Sequence, residues 1–396
     1  MIALFQTILF LSLFLLIFSY FIYPGMLAWL AKNRSLNGPF FTPSELPKIA
    51  VVFAAYNEEK VIEEKMRNLK DMDYPEELLE IHIGLDCPSD RTAALIQENI
   101  AMKFPVFVHH FQERSGKANV LNKIFNQSLK LSDFEIVIMM DANIISKENC
   151  FIELAKCFKN EEIGQVGAVI ENLIKEKAEI AEQEKFYIGS ESKLKIAETK
   201  VLDSSIGAFG ACYAIRSSLI KEIPSNYLME DFYLSMHVLE QKFRSITNPD
   251  AIVYEDLPGS IQEEFKRKRR ISTGNFQNLS SYYPLLWKAN WKISFSFFSH
   301  KILRWCGSFF ILLAIFSASF WFMYERTSFW ASFFFGAMLL NLILPLLDIL
   351  LKSVNINVNL LRLHRYFLLM NLAMFLGFID WTKGVKTNIW KPTKRT

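Results

Sequence analysis

Four acidic positions stand where chemistry could use them: Asp86, Asp141 and the adjacent Glu230 and Asp231. Asp86 and Asp141 each close a short apolar run, ending in Gly84-Leu85 and in Met139-Met140. An ionised carboxylate at a strand end only accepts hydrogen bonds, so it suits a divalent cation, ribose hydroxyls or the donor edge of a base. Asp141 leads into Ala142-Asn143 directly after a wholly apolar strand, which favours function over capping. Glu58, within Tyr56-Asn57-Glu58-Glu59, stays open between binding and the start of a helix, whereas Asp90 in Pro88-Ser89-Asp90-Arg91 reads as a helix cap. Glu230-Asp231 fits either a general base or a pair of acids facing a helix dipole. The cations are Arg114, Lys117 after Gly116, and the run Lys266-Arg267-Lys268-Arg269-Arg270, whose charge suits anionic lipid or phosphate oxygens.

These residues need elements to hold them, and the sequence supplies an alternation. Apolar runs predict strands at Ile49–Ala54, Ile81–Leu85, Val106–His109, Glu135–Met140 and Gly164–Ile170. Helical patterns lie between them over Glu58–Met72, Arg91–Met102, Lys117–Leu131 and Lys147–Lys159, and a charged amphipathic helix is expected over Lys175–Lys200. Strict alternation predicts a parallel, doubly wound α/β sheet, which binds ligands beyond the carboxyl ends of its strands. The residues singled out above fall at that edge. Ser204–Arg216 is rich in small residues and holds Gly207 and Gly210.

The rest of the chain does not look soluble. Of 396 residues 51% are hydrophobic and 21% charged, and the mean hydropathy is +0.17. Charge-free runs cover Met1–Ala31, Cys306–Tyr324, Thr327–Leu347 and Tyr366–Ile379. The first three reach the ~20 residues that a bilayer core requires, and the last is short enough to be re-entrant or interfacial. A purely soluble enzyme is excluded. The first run lacks a basic start and a small-residue cleavage site, so it reads as an uncleaved anchor. Lys32, Arg34 and Lys48 follow it, which puts the following domain in the cytosol. The five cysteines contain no C-x-x-C pair and are expected to be reduced thiols. Beyond residue 305 there are 9 Lys/Arg against 3 Asp/Glu, so the basic excess sits with the membrane portion and implies no nucleic-acid partner. Trp287, Trp291 and Trp305 are expected to bracket an interfacial helix.

Taken in order, AAYNEEKVIEE, GLDCPSDRT, ERSGKANVLNKIF, VIMMDAN, GAFGACYAIRSSL, YLMEDFYLS and KRKRRISTGN, over about residues 49 to 279, resemble the motifs of membrane-embedded family 2 glycosyltransferases. The resemblance extends to synthases of the cellulose, hyaluronan and poly-N-acetylglucosamine type. It implies a GT-A catalytic domain at 45–285 behind an anchor at 1–31, with an interfacial helix at 286–305, a membrane region at 306–381 and a basic tail at 382–396. That membrane region would hold two crossings and a short third or re-entrant segment. The implied reaction is inverting transfer from a UDP-sugar to a glycan acceptor at the cytoplasmic face of the plasma membrane, by a single copy, a homo-oligomer or with an export subunit. The alternatives are single transfer to a membrane lipid and, from a different class, an inactive membrane scaffold or a subunit of a glycan export complex.

Roles follow position by position from the resemblance. Asp231 would be the base, beside Glu230, and Arg270 would neutralise the departing diphosphate. Tyr56, Glu58, Asp86, Lys117, Asp141 and Arg267 would bind the nucleotide sugar. Phe209, Gly210, Ala211 and Cys212 would floor the acceptor pocket. Asp141 would hold Mg2+ or Mn2+ together with Asn143, which stands where the family has a second aspartate. Further departures are Ala54 for a proline, Arg267 for a glutamine and Ile271 for a tryptophan, the last of which bears on chain building. The terminal Trp390, Thr393 and Arg395 resemble the tail motif of hyaluronan-type synthases.

Overall fold

The computed structural model describes residues 1–36, 38–173, 181–256 and 260–389. Trp390, Thr393 and Arg395 of the tail and the first residues of the helix expected from Lys175 lie outside them. The centre of the molecule is one eight-stranded sheet in the order β3-β2-β1-β4-β7-β6-β8-β5. Its strands are β1 Ile49–Ala55, β2 Leu79–Leu85, β3 Val106–His110, β4 Ile136–Met140, β5 Ile145–Ser146, β6 Ile163–Leu173, β7 Cys212–Arg216 and β8 Arg244–Asp256.

The first half of the sheet is parallel, as the alternation predicts. Beyond β4 it is mixed, because β7 runs antiparallel to both β4 and β6. That reversal brings the small-residue segment before β7 next to the carboxyl end of β4, and the Asp141 amide donates to the Ala211 carbonyl at 3.1 Å. Strand β8 was not legible because Asn248-Pro249-Asp250 interrupts it. The pairing absorbs this stretch as a shift in register between Gly167 and Val169 of β6.

Alternation within the strands serves two cores. Ile49, Val51, Phe53, Ile136, Ile138 and Met140 face the helices Ile62–Lys70, Thr92–Glu98 and Cys150–Ala155. Ala50, Val52, Val137 and Met139 face Lys117–Lys123, Glu230–Glu240 and Ile261–Tyr282. The helix carrying Glu230 and Asp231 and the helix carrying Arg270 thus lie on one face of the sheet, by the carboxyl end of β4.

Among the described residues three helices are long and apolar enough to cross a membrane: Ile2–Ala31, Gly307–Tyr324 and Phe329–Ser353. The fourth apolar run extends into a helix, Asn359–Thr382, that carries Arg362, His364, Arg365 and Asp380 and packs against Ile261–Tyr282. Close approach there depends on Gly377, where a Cβ would lie 2.4 Å from the Arg269 carbonyl oxygen. Trp287 and Trp291 are exposed, as an interfacial position requires. Trp305 is not: it is buried against Phe232 and Phe297, with ring centroids at 5.3 and 6.1 Å, so it ties the segment before Gly307–Tyr324 to the helix Glu230–Glu240 instead.

Candidate active site

The loops after β1, β2, β3 and β4 converge with two helix segments. After β1, the Tyr56 ring carries the Arg114 guanidinium 3.7 Å above its centroid, and the Glu58 amide donates to Thr92 Oγ1 at 2.8 Å. At the end of β2, Asp86 is buried and accepts from the amides of Ser115 at 2.7 Å and Gly116 at 2.9 Å. Asp86 therefore shapes the loop that precedes Lys117. Gly116 has a φ of +86°, and a Cβ there would collide with the Asn388 side chain. With its amide oriented to suit its neighbours, Asn388 donates to the Ser115 carbonyl at 3.0 Å and accepts from the Ala118 amide at 3.2 Å. Asp90 is not the N-cap of Thr92–Glu98, which is Arg91; it accepts from the Thr92 amide at 3.0 Å and from the Glu59 amide at 3.2 Å, joining that helix start to the loop after β1.

Lys117 is the hub. Its Nζ lies 2.6 Å from Asp141 Oδ1 and 2.5 Å from Glu230 Oε1. Burial works against its charge, but Asp141 and Glu230 outweigh that and hold the ammonium above its ordinary pKa. Asp231, next in the chain, is buried, and Gly210 packs so tightly on it that a Cβ would stand 2.6 Å from Oδ2. Burial and then the neighbouring Glu230 charge push the Asp231 carboxyl up to about 6. Arg270 is pulled down by burial, while Glu230, Asp141 and Asp231 act on it in the opposite direction. One acidic cluster, two cations and a raised carboxyl thus share one site.

The remaining predicted residues are distributed unevenly. Asn143 is half-buried two residues beyond Asp141, whose side chain is 39% exposed. Arg267 is engaged elsewhere, 3.9 Å from Glu184, 3.7 Å from Glu255 and 3.6 Å from Glu264. Phe209, Gly210 and Ala211 form the segment against Asp231, but Cys212 opens β7 with its side chain fully buried in the core facing Cys150. It floors no pocket.

Two lysines that the sequence reading passed over support the site from behind. Lys195 is buried, donates to the Ile206 carbonyl at 3.3 Å and to the Gly207 carbonyl, and lies 4.8 Å from the Phe209 ring centroid. Lys65 donates to the Ile144 carbonyl at 2.7 Å, below the Asp141 loop. Burial drives both ammonium groups down to about 7. Each sits among ordinary helix charges in the sequence, so no local signal separates it from a solvated lysine.

A raised carboxyl has a direct consequence for rate. A base must be ionised, so if Asp231 is the base, kcat/KM should rise with pH through about 6 and level off above it. An acid limb near pH 4 or below in the pH–rate profile would contradict this.

A sheet that is parallel through β3-β2-β1-β4 and mixed beyond, with loops gathered at the carboxyl ends of its parallel strands, is the GT-A-like fold. Residues 50–223 match the family described as "Glycosyl transferase family 2". It is 26% identical to a poly-beta-1,6-N-acetyl-D-glucosamine synthase of Staphylococcus aureus over 62% of this chain and 59% of that protein. To a beta-monoglucosyldiacylglycerol synthase of Trichormus variabilis it is 31% identical, over 31% of this chain and 25% of that protein. The chain thus spans about a quarter and somewhat over half of these two relatives. A solved mannosyltransferase from Pyrobaculum calidifontis, in complex with GDP-Man and Mn2+, superposes with a TM-score of 0.71 at 18% identity, covering 96% of this chain and 99% of that one.

Proposed function

We propose that this chain is an inverting glycosyltransferase that moves a sugar from a UDP-sugar to an acceptor at the cytoplasmic face of the membrane. The observation that carries the reading is Asp231, buried with its pKa raised to about 6, pressed by Gly210 and adjoining the Lys117–Asp141–Glu230 cluster. Inversion in one displacement needs a carboxylate to take the proton of the attacking hydroxyl, and cations to meet the charge that develops on the leaving diphosphate. Asp231 has the first character, and Arg270 with Lys117 the second.

The donor set also fits a divalent cation. Among the described residues no three His, Cys, Asp or Glu side chains could hold an ion by themselves. Asp141 and Asn143 offer one carboxylate and one amide oxygen, the kind of partial set on which Mg2+ relies when substrate phosphates and water complete its shell. Bound there, the ion would supply charge neutralisation at the diphosphate.

A lipid acceptor is favoured over a polymer passed through the chain. A channel needs polar positions facing a pore, yet Asp348, the acid within the third apolar helix, pairs with Arg365 at 2.8 Å. His364 and the Asn341 carbonyl are likewise joined at 3.0 Å. The glucosyldiacylglycerol synthase relative supports the same reading.

The test is to offer the detergent-solubilised chain UDP-glucose, UDP-N-acetylglucosamine and GDP-mannose with Mg2+ or Mn2+, following nucleotide release and product length. UDP release on adding an acceptor lipid is expected. Release from GDP-mannose alone would reassign the donor, and release from none would refute the reading. Orientation is tested separately: Lys386→Cys should resist a membrane-impermeant maleimide in intact cells and react after permeabilisation. External labelling would overturn the cytosolic placement.

A further inference from the structure

The basic run at 266–270 is split by the helix that carries it. Arg267 and Lys268 turn toward Glu184 and Glu264, with Lys268 at 3.5 and 3.2 Å, and Lys268 also stands 4.0 Å from the Tyr187 ring centroid. Lys266, Arg269 and Arg270 face another way. Together with Lys383 they line an open cavity of about 480 Å3, bounded also by Leu228, Thr273 and Val385. Four cations meet a single carboxylate there, Asp380, which already receives Arg269 at 2.5 and 2.7 Å.

We infer that this cavity anchors the phosphate of a membrane lipid that carries the acceptor hydroxyl, a subsite that rests on the transferase reading above. Charge argues for the phosphate, since guanidinium and ammonium groups converging on one hollow are what a phosphate monoester or diester requires. Position argues for a lipid: one wall is the carboxyl end of Asn359–Thr382, where Phe378 packs on Phe309 of the apolar helix Gly307–Tyr324 with ring centroids 5.0 Å apart. Arg270 belongs both to this cavity and to the charges around Asp231, so an anchored phosphate lies beside the base without itself being the attacking group. Lys266 and Lys383, exposed on the rim, then select acceptors and leave the donor alone.

The test uses the full chain in detergent and three soluble probes: farnesyl phosphate, farnesol and inorganic phosphate. Farnesyl phosphate should bind more tightly than either of the others by calorimetry. Lys266→Glu with Lys383→Glu should weaken it ~10-fold or more, the loss of charge-assisted contacts, and leave UDP affinity within ~2-fold. The milder Lys266→Gln with Lys383→Gln pair should give a smaller loss in the same direction. Equal binding of farnesol, equal binding of inorganic phosphate, or unchanged farnesyl phosphate affinity in both variants would overturn the subsite. A parallel loss of UDP affinity would give the cavity to the donor diphosphate instead and overturn it as well. Nucleotide release from the sugar-donor panel is read independently, so the subsite can fail while the transferase reading stands.

Discussion

Asp231→Asn should lower turnover by ~10² to 10⁴, the usual loss when a general base is removed, equivalent to roughly 3 to 5 kcal/mol on the barrier. Asparagine keeps the shape and the amide oxygen but cannot take a proton. UDP affinity should stay close to wild type, because on the proposed reading the nucleotide contacts the Tyr56, Asp86 and Asp141 loops and not Asp231. Gly210→Ala sharpens the test. Its new Cβ would stand 2.6 Å from Asp231 Oδ2, so the carboxylate must move while its chemistry is unchanged. Turnover should fall in that variant also, with the acid limb displaced from about pH 6, since the burial and the Glu230 contact that set the value are disturbed. Near-normal turnover in Asp231→Asn would remove the base assignment and pass the role to Glu230.

The loops at the carboxyl ends of β1, β2 and β4 were readable because each follows an apolar run whose end is sharp. Asp86 and Asp141 end strands in the structure as they end runs in the sequence. What Asp86 does was less readable: both oxygens are spent on the amides of Ser115 and Gly116, a contact between segments 29 and 30 residues apart. The basic run shows the limit more clearly. Arg267 and Arg270 lie three apart, nearly on one helix face, and nothing local separates them. Their environments are divided by Glu184, Glu255 and Glu264, acids from three segments, of which only Glu264 shares the helix. Cys212 was drawn into the acceptor segment because small residues precede it. Strand alternation turns its side chain into the core instead.

Trp305 and Asn388 failed to announce themselves for a related reason. A tryptophan before an apolar run reads as an interfacial anchor, yet Trp305 finds Phe232 from the helix that bears Asp231. Through it the segment that leads into Gly307–Tyr324 packs against the helix that bears Asp231. Asn388 lies near the carboxyl end and reads as solvated tail, but it is 2% exposed and braces the Gly116 loop. Such contacts depend on where the last helix delivers the chain, which no window of sequence contains.

Removing divalent metal is the second change with a large expected effect. Chelator should suppress turnover by ~10² or more, since a cation at a departing diphosphate contributes several kcal/mol of charge stabilisation. On the proposed reading Asp141 and Asn143 set how tightly the ion is kept. Lys117 Nζ, 2.6 Å from Asp141 Oδ1, already offsets part of that carboxylate's charge, so the apo site should bind metal weakly and gain affinity only with the diphosphate present. Asn143→Asp restores a second negative charge and should tighten apparent metal affinity, measured as the Mn2+ concentration for half-maximal turnover and as Mn2+ binding by electron paramagnetic resonance in the presence of UDP. Asp141→Asn should do the reverse and raise the half-maximal concentration. Full activity in excess chelator would mean that Lys117 and Arg270 alone carry the diphosphate, and Asn143→Asp should then slow the reaction by adding an uncompensated charge beside it.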